Sequence, residues 1–196
     1  MIYSPSYKNI SNKSCIAEPV SEKIVQEQKR AFKYADFFDT KKKASCYVRD
    51  ILNQMEKHIE NKHKYVLVDI KTSLLSAGNL PAYGFWHTDC TLNLKHESRP
   101  EHHVIFISGA GSQTEFVSSE MEIDFNDIDL KKWSPLYEEK VFAAIANSKA
   151  KLEKINERQL YSYGRDLHRA CPATFSGPRI LVRMTETDLI RPTKGE

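Results

Sequence analysis

From Tyr65 onwards the sequence is a series of short segments with the composition and alternation of β-strands. Polar, turn-forming segments such as SAGNLP, KHESRPE and GAGS separate them. The strand-like segments are, in chain order, YVLVDIKTSLL, AYGFWHTDCTLNL, HHVIFISG, QTEFV, MEIDF, QLYSYG and PRILVRMTET. So many short strands without a fixed repeat predict a mainly β fold with flanking helices, an antiparallel barrel or sandwich.

Two amphipathic stretches precede the strand-like segments. The first runs from Ser21, a predicted N-cap, to about Asp39, and the second runs from Ala44 to about Glu60. Apolar residues of the second stretch recur at helical spacing and define one stripe, formed by Val48, Ile51, Leu52, Met55 and Ile59. We predict two N-terminal helices, the second of which packs this stripe on a sheet.

A third helix interrupts the strand series. Ser134 and Pro135 have the residue types of an N-cap and a first helical position, and they predict an inserted helix over about residues 135–157. A chain of 196 residues is long enough for one well-packed core and short for two. We therefore expect a single domain over 1–196, with helical support in 1–64 and a β core in 65–190.

Composition excludes several classes of function. A net charge of +3 and a pI near 8.6 are too mild for a protein that makes extended nucleic-acid contacts. The four cysteines form no CxxC pair, so neither a zinc ribbon nor a redox motif is indicated. The first twenty residues contain no continuous apolar run, and no later stretch has the length and apolarity of a membrane span. We expect a cytoplasmic protein without membrane contact, and its oligomeric state is not predicted.

His87 and Asp89 stand two residues apart in a predicted strand, so their side chains should point to the same face. An imidazole and a carboxylate are then offered together, as a divalent metal requires. A strand-end histidine followed by a solvated aspartate would give the same pattern. Trp86 should point away from this face and belong to the core.

A further candidate ligand, His168, precedes a last strand that carries Arg179 and Arg183. The two arginines are four residues apart, which places both on one face of the strand. If that face lines the interior of a barrel, these cations need anionic partners, and a bound dicarboxylate would supply one. Arg169 should point to the opposite face from His168 and be structural.

The order HxD, a distant histidine and an arginine on the next strand resembles the iron(II)/2-oxoglutarate-dependent oxygenase superfamily, in particular its phytanoyl-CoA dioxygenase and prolyl hydroxylase branches. GFWHTDCTL, HHVIFISGAGSQTEFV and LHRACPATFSGPRILVRM carry the resemblance, which covers Tyr65 to Asp188. It implies a double-stranded β-helix, the jelly-roll barrel of the cupins. It also implies that His87, Asp89 and His168 bind Fe(II) as a facial triad that leaves three positions open.

The resemblance further implies that 2-oxoglutarate fills two of these positions and O2 the third. Arg179 would clamp the distal carboxylate with two parallel hydrogen bonds, although Arg183 shares its face and is the alternative. Thr91, Asn93 and Thr114 are candidates for hydrogen bonds to the cosubstrate, or are ordinary interior polar residues. The implied reaction is hydroxylation of a substrate with release of succinate and CO2. Hydroxylation is favoured over halogenation because Asp89 keeps the carboxylate position.

Two other interpretations stay open. A cupin-like dioxygenase or isomerase would keep the metal and discard 2-oxoglutarate, but it gives the arginine pair no obvious role. A metal-free binding module would make His87 and Asp89 ordinary polar residues of a barrel. For the oxygenase, the substrate class extends over small molecules, amino-acid-like compounds and single nucleotides, and Tyr83 with its preceding turn is a candidate pocket lip.

Overall fold

The computed structural model describes residues 2–11, 18–28, 31–89, 101–126 and 135–189. These residues form a mainly β protein with a few helices. The strands are β1 (Ile2–Tyr3), β2 (Lys8–Asn9), β3 (Phe32–Asp36), β4 (Tyr65–Leu75), β5 (His102–Ser108), β6 (Thr114–Val117), β7 (Met121–Glu122), β8 (Leu152–Lys154), β9 (Leu160–Tyr163), β10 (His168–Ala170) and β11 (Gly177–Thr187). The helices are α1 (Glu22–Glu27), α2 (Phe37–Lys43), α3 (Cys46–Glu56) and α4 (Pro135–Ser148). No helix in these ranges has both the length and the apolarity needed to cross a bilayer.

The strands form three antiparallel sheets. The largest has the order β2-β9-β5-β11-β4-β3, the second has the order β10-β6-β8, and β1 pairs with β7. Strands β4 and β11 pair along their full length, from Tyr65 opposite Thr187 to Leu75 opposite Gly177. This long central pair fixes the register of the large sheet, because β5 and β3 are each aligned on one of its members.

The two faces of β11 meet different layers. Its even-numbered residues Ile180, Val182 and Met184 are buried against the helices, in one apolar cluster with the stripe of α3. The odd-numbered Leu181 packs on the other side with residues of both sheets, among them Phe116 of β6 and Tyr163 of β9. The two sheets therefore face each other, and the odd-numbered residues of β11 point between them.

The predicted helix from Ser21 to about Asp39 is wrong. Ser21 does cap a helix, with its side chain accepting from the Ile24 N–H, but α1 ends at Glu27 and β3 follows. Tyr34 has a left-handed φ of 49° at an irregularity between Phe32 and Ala35, which no right-handed helix allows. Asp36 then caps α2, because its side chain accepts from the Asp39 N–H. Pairing with β4 outweighs the helical pattern here.

The predicted inserted helix is shorter than expected. Helix α4 ends at Ser148, and Lys149 takes a left-handed φ of 50° that continues no right-handed helix. The residues that follow form β8, which pairs with β6. The predicted N-cap Ser134 lies outside the described residues. The second helix is confirmed as α3, capped by Ser45, with Val48, Ile51, Leu52 and Met55 buried, but it ends at Glu56, so that Ile59 of the predicted stripe lies beyond it.

The strand predictions over Tyr65–Leu75 and His102–Ser108 are confirmed by β4 and β5. The prediction of a strand through AYGFWHTD is wrong over its described part, where only an isolated bridge joins His87 to His168. The remainder of that segment lies outside the described residues. Strand β10 was not predicted, since three residues before a Cys-Pro pair carry no alternation signal.

Candidate metal centre

His87 and His168 are brought together by a backbone bridge. The His87 N–H donates to the His168 carbonyl at 3.0 Å, and the His168 N–H donates to the His87 carbonyl at 2.9 Å. Residues directly opposite each other in an antiparallel pair project to the same side, and the centroids of the two imidazoles are 4.5 Å apart. A single pair of backbone hydrogen bonds therefore places His87 beside His168, without the full strand that the sequence predicts.

Asp89 completes a group of three potential ligands. One nitrogen from each imidazole and one carboxylate oxygen all lie within 4.8 Å of one another, and Asp89 Oδ2 is 3.6 Å from His168 Nε2. Among the described residues this is the only group of three or more histidine, cysteine or acidic side chains with such geometry. Two imidazoles and one carboxylate are the donor set of non-haem iron sites.

Both histidines are held in the tautomer that a metal needs. His87 Nδ1 lies 2.9 Å from the Phe85 carbonyl, and His168 Nδ1 lies 2.8 Å from the Asp166 carbonyl. A carbonyl oxygen only accepts, so each Nδ1 carries a proton, and in the neutral form of either ring it is Nε2 that presents a lone pair. Burial, together with the nearby His168, lowers the pKa of His87 to about 4, so this imidazole is neutral at neutral pH.

The buried Asp166 side chain fixes the loop that supplies one of these carbonyls. Its carboxylate accepts hydrogen bonds from the backbone of Ser6, Tyr7 and Gly164, at 2.5, 3.1 and 2.9 Å. The N-terminal segment is thereby tied to the turn that precedes β10. The orientation of His168 thus depends on contacts more than a hundred residues away in sequence.

Both oxygens of Asp89 have donors. Arg183 Nη1 lies 2.7 Å from Oδ1, and the Tyr163 hydroxyl donates to Oδ2 at 2.7 Å. Burial opposes ionisation of this carboxyl, but the Arg183 guanidinium outweighs it and holds the pKa of Asp89 well below the ordinary value. Asp89 is therefore a carboxylate, as metal coordination requires.

The two candidate cosubstrate arginines have different surroundings. Arg183 is already neutralised, since Asp69 Oδ2 accepts from its Nε at 3.1 Å and its Nη2 at 2.7 Å, in addition to the contact with Asp89. Arg179 is 1% exposed and donates from Nε to the Ser112 carbonyl at 3.0 Å. Its Nη1 is buried without a hydrogen-bond partner in the described part of the chain.

Arg179 lies in a polar corner that has no acidic partner at hydrogen-bond distance among the described residues. Burial lowers the pKa of Arg179 to about 10, a value at which the guanidinium is still charged at neutral pH. Ser73 stands directly opposite Arg179 in the β4–β11 register, and its Oγ is also buried without a partner in the described ranges. Lys71 lies two residues before Ser73, on the same face of β4. Its ammonium contacts the Pro81 carbonyl, and burial and the nearby Arg179 lower the pKa of Lys71.

The other predicted site residues are placed as follows. Thr114 begins β6, is buried, and shares the inner face with Phe116. Thr91 and Asn93 lie outside the described residues. Trp86 is buried in a separate apolar cluster with the Arg169 guanidinium 4.6 Å from its ring centroid, and Arg169 pairs with Glu115. Tyr83 is 66% exposed, and its ring lies 5.9 Å from that of His87.

Several residues around the centre were not predicted from the sequence, namely Asp69, Ser73, Tyr163 and Asp166. Asp69 alone carried a signal, because it is the one charged residue within the apolar run YVLVDI. A charge in such a strand needs a partner when it faces the interior. Tyr163 and Ser73 have no comparable signal, since both are common in half-buried strands.

No family model matches this chain, and no curated protein matches it. Among solved structures it is similar to EvdO2 from Micromonospora carbonacea var. aurantiaca, with 11% identity and a TM-score of 0.37. A structure of EvdO2 complexed with 2-oxoglutarate matches at 10% identity and a TM-score of 0.38. Each match covers 76% of this chain and 64% of EvdO2, so the chain spans less than two thirds of that protein's length.

Proposed function

We propose that this protein is an iron(II)- and 2-oxoglutarate-dependent dioxygenase that hydroxylates a small-molecule, amino-acid-like or nucleotide substrate. The observation that carries the proposal is the combination of two features in one interior: the His87, Asp89 and His168 cluster, and a buried arginine whose charge has no acidic partner at hydrogen-bond distance among the described residues. The cluster offers ligands to a metal ion, and the buried arginine offers a counter-charge to an anion.

The donor set fits Fe(II). The Nε2 atoms of two imidazoles and one carboxylate are available together, and the hydrogen bonds of both Nδ1 atoms to backbone carbonyls keep the rings oriented. Three protein ligands leave three positions of an octahedral ion for other molecules. Iron bound there would supply the redox chemistry that couples O2 to oxidation of the cosubstrate and the substrate.

The surroundings of Arg179 fit the distal carboxylate of 2-oxoglutarate. A planar guanidinium can offer two parallel hydrogen bonds to a carboxylate, Nη1 of Arg179 is without a partner in the described ranges, and Ser73 adds a hydroxyl donor from the adjacent strand. Arg183 is less suited to this role because Asp69 and Asp89 already occupy its donors. We therefore assign the clamp to Arg179. A cupin-like enzyme that does not use 2-oxoglutarate gives this buried cation no obvious role.

We propose that the two facing sheets are the halves of a double-stranded β-helix. The six-stranded sheet supplies Arg179, Arg183 and Tyr163, and the three-stranded sheet supplies His168. A site between the sheets is sheltered from bulk water, which strengthens the ion pair between a guanidinium and a carboxylate. In this arrangement α1, α2 and α3 cover the outer face of the large sheet.

The proposal is tested by incubating the purified protein with Fe(II) and 2-oxoglutarate under anaerobic conditions. We expect a weak visible absorption band from metal-to-cosubstrate charge transfer, and succinate once oxygen is admitted. A folded protein that gives neither band nor succinate contradicts the proposal. Metal binding without the band would favour a cupin-like enzyme, and no metal binding would favour a binding module.

A second test concerns Ser73. Replacing Ser73 with alanine should weaken 2-oxoglutarate binding about 10-fold, because a hydrogen bond to a charged group contributes about 1.5 kcal/mol or more. The same change should leave the unfolding temperature of the ligand-free protein equal or higher, since it removes a buried hydroxyl that has no partner in the described ranges. Calorimetric titration of 2-oxoglutarate and thermal unfolding measure the two effects. Unchanged affinity would exclude Ser73 from the cosubstrate site.

A further inference from the structure

The Asp89 carboxylate is held from both sides by groups that belong to the large sheet. Arg183 of β11 contacts Oδ1, and Tyr163 of β9 donates to Oδ2, each at 2.7 Å. Oδ2 is also the oxygen that lies 3.6 Å from His168 Nε2. The two oxygens of the carboxylate are therefore not equivalent, since one is directed at the second histidine and the other at a cation.

Arg183 is itself fixed in place. Its Nε and Nη2 both donate to Asp69 Oδ2, and Asp69 Oδ1 accepts from the Tyr34 N–H at 2.9 Å. That N–H faces Asp69 because β3 departs from regular pairing at this point. The chain of contacts thus runs from the backbone of β3 through Asp69 and Arg183 to Asp89.

Tyr163 is equally constrained. It is 3% exposed, its ring stacks on His103 with centroids 4.7 Å apart, and its edge contacts Phe116 and His168. A phenol keeps its proton at neutral pH, so the Tyr163 hydroxyl is a donor to Asp89 Oδ2.

We infer that Arg183 and Tyr163 are positioning residues that hold Asp89 as a ligand through Oδ2 alone, so that the metal keeps three open positions. This inference rests on the proposed function. A carboxylate that chelated a metal with both oxygens would have to rotate so that Oδ1 turns away from Arg183 and towards the metal, and it would occupy one position more. The contacts of Arg183 and Tyr163 with Asp89 oppose this rotation of the carboxylate even in the metal-free protein.

Binding of Mn(II) to the metal-free protein tests the inference without any enzymatic activity. Replacing Tyr163 with phenylalanine preserves the ring and its stacking and removes only the hydroxyl. We expect the affinity for Mn(II) to fall by about 10-fold to 100-fold, the range found when outer hydrogen bonds of metal ligands are removed. Tyr161→Phe is the matched control, because Tyr161 lies on the same strand and its hydroxyl contacts Asn156 and Gln159.

A second variant, Arg183→Lys, keeps the charge but cannot contact both carboxylates as a fork. The number of water molecules on bound Mn(II), measured by proton relaxation, should be about three in the natural protein. It should fall towards about two in Arg183→Lys, where the carboxylate is free to chelate. Thermal unfolding verifies that each variant is folded. If Arg183→Lys does not fold, the affinity of Tyr163→Phe for Mn(II) tests the inference by itself.

The outcomes separate the two proposals. If the natural protein binds Mn(II) and Tyr163→Phe binds it equally well, the positioning role is overturned and the proposed function stands. If the natural protein binds no Mn(II), both are overturned. A loss of affinity in Tyr163→Phe with none in Tyr161→Phe supports the inference.

Discussion

Replacement of His87 by alanine is expected to reduce 2-oxoglutarate-dependent succinate formation by more than about 100-fold. Loss of an outer hydrogen bond to a ligand typically costs about 10-fold to 100-fold in metal affinity or activity, and loss of the ligand itself removes more. The effect on folding should be small, because the backbone bridge to His168 does not involve the imidazole. Calorimetric titration with Fe(II) under anaerobic conditions should show the same loss as the succinate assay.

His58→Ala is the matched control for this experiment. His58 follows α3 and contributes no atom to the cluster of ligands, so both metal binding and succinate formation should be retained. Retained turnover in His87→Ala at saturating Fe(II) would remove this residue from the metal site. The chain would then need a different third ligand, and the proposed facial triad would fail.

Replacement of Arg179 by alanine is expected to raise the concentration of 2-oxoglutarate needed for half-maximal turnover by about 30-fold or more. Truncating one partner of a buried, hydrogen-bonded charge pair costs about 2 kcal/mol at least, which corresponds to that factor. Arg179→Lys should recover part of the loss, since it restores the charge but not the planar fork. Binding of 2-oxoglutarate should be measured by calorimetry at saturating metal, so that affinity is separated from turnover.

The comparison with Arg183 makes this test decisive. Arg183→Ala should weaken metal binding first, because Asp89 loses the donor that positions its carboxylate. Once metal is saturating, its requirement for 2-oxoglutarate should be much lower than that of Arg179→Ala. The reverse ranking would transfer the clamp to Arg183. Arg49→Ala, which changes an exposed arginine of α3, should behave like the natural protein.

The sequence is informative about the candidate site because its main residues have chemistry that is costly to bury. Two arginines in an apolar strand, and a histidine and an aspartate two residues apart, require partners when they are buried, and this need can be inferred from residue types and spacing alone. The roles of the two arginines cannot be separated in this way. Each of them faces a different neighbour across the strand pair, Asp69 for Arg183 and Ser73 for Arg179, and this depends on the register between β4 and β11.

The fold was predictable where local pattern and tertiary contacts agree. Strand β4 and helix α3 have clear periodicity, and both formed as predicted. Strands β3, β8 and β10 were missed because their positions are set by partners distant in sequence. Helical spacing in the segment that precedes Asp36 was overridden by pairing with β4, and His87 reached its position through a two-residue bridge that no pattern of alternation describes.

The irregular strand β3 has a consequence for how this protein behaves at high concentration. An outer strand of a sheet exposes unpaired backbone groups that can recruit a strand of another molecule. In β3 the left-handed residue Tyr34 interrupts regular pairing, and the opposite outer strand, β2, is only two residues long. Short and interrupted outer strands are poor templates for intermolecular β-pairing. The same irregularity that turns a backbone N–H towards Asp69 therefore also protects the large sheet from edge-to-edge aggregation.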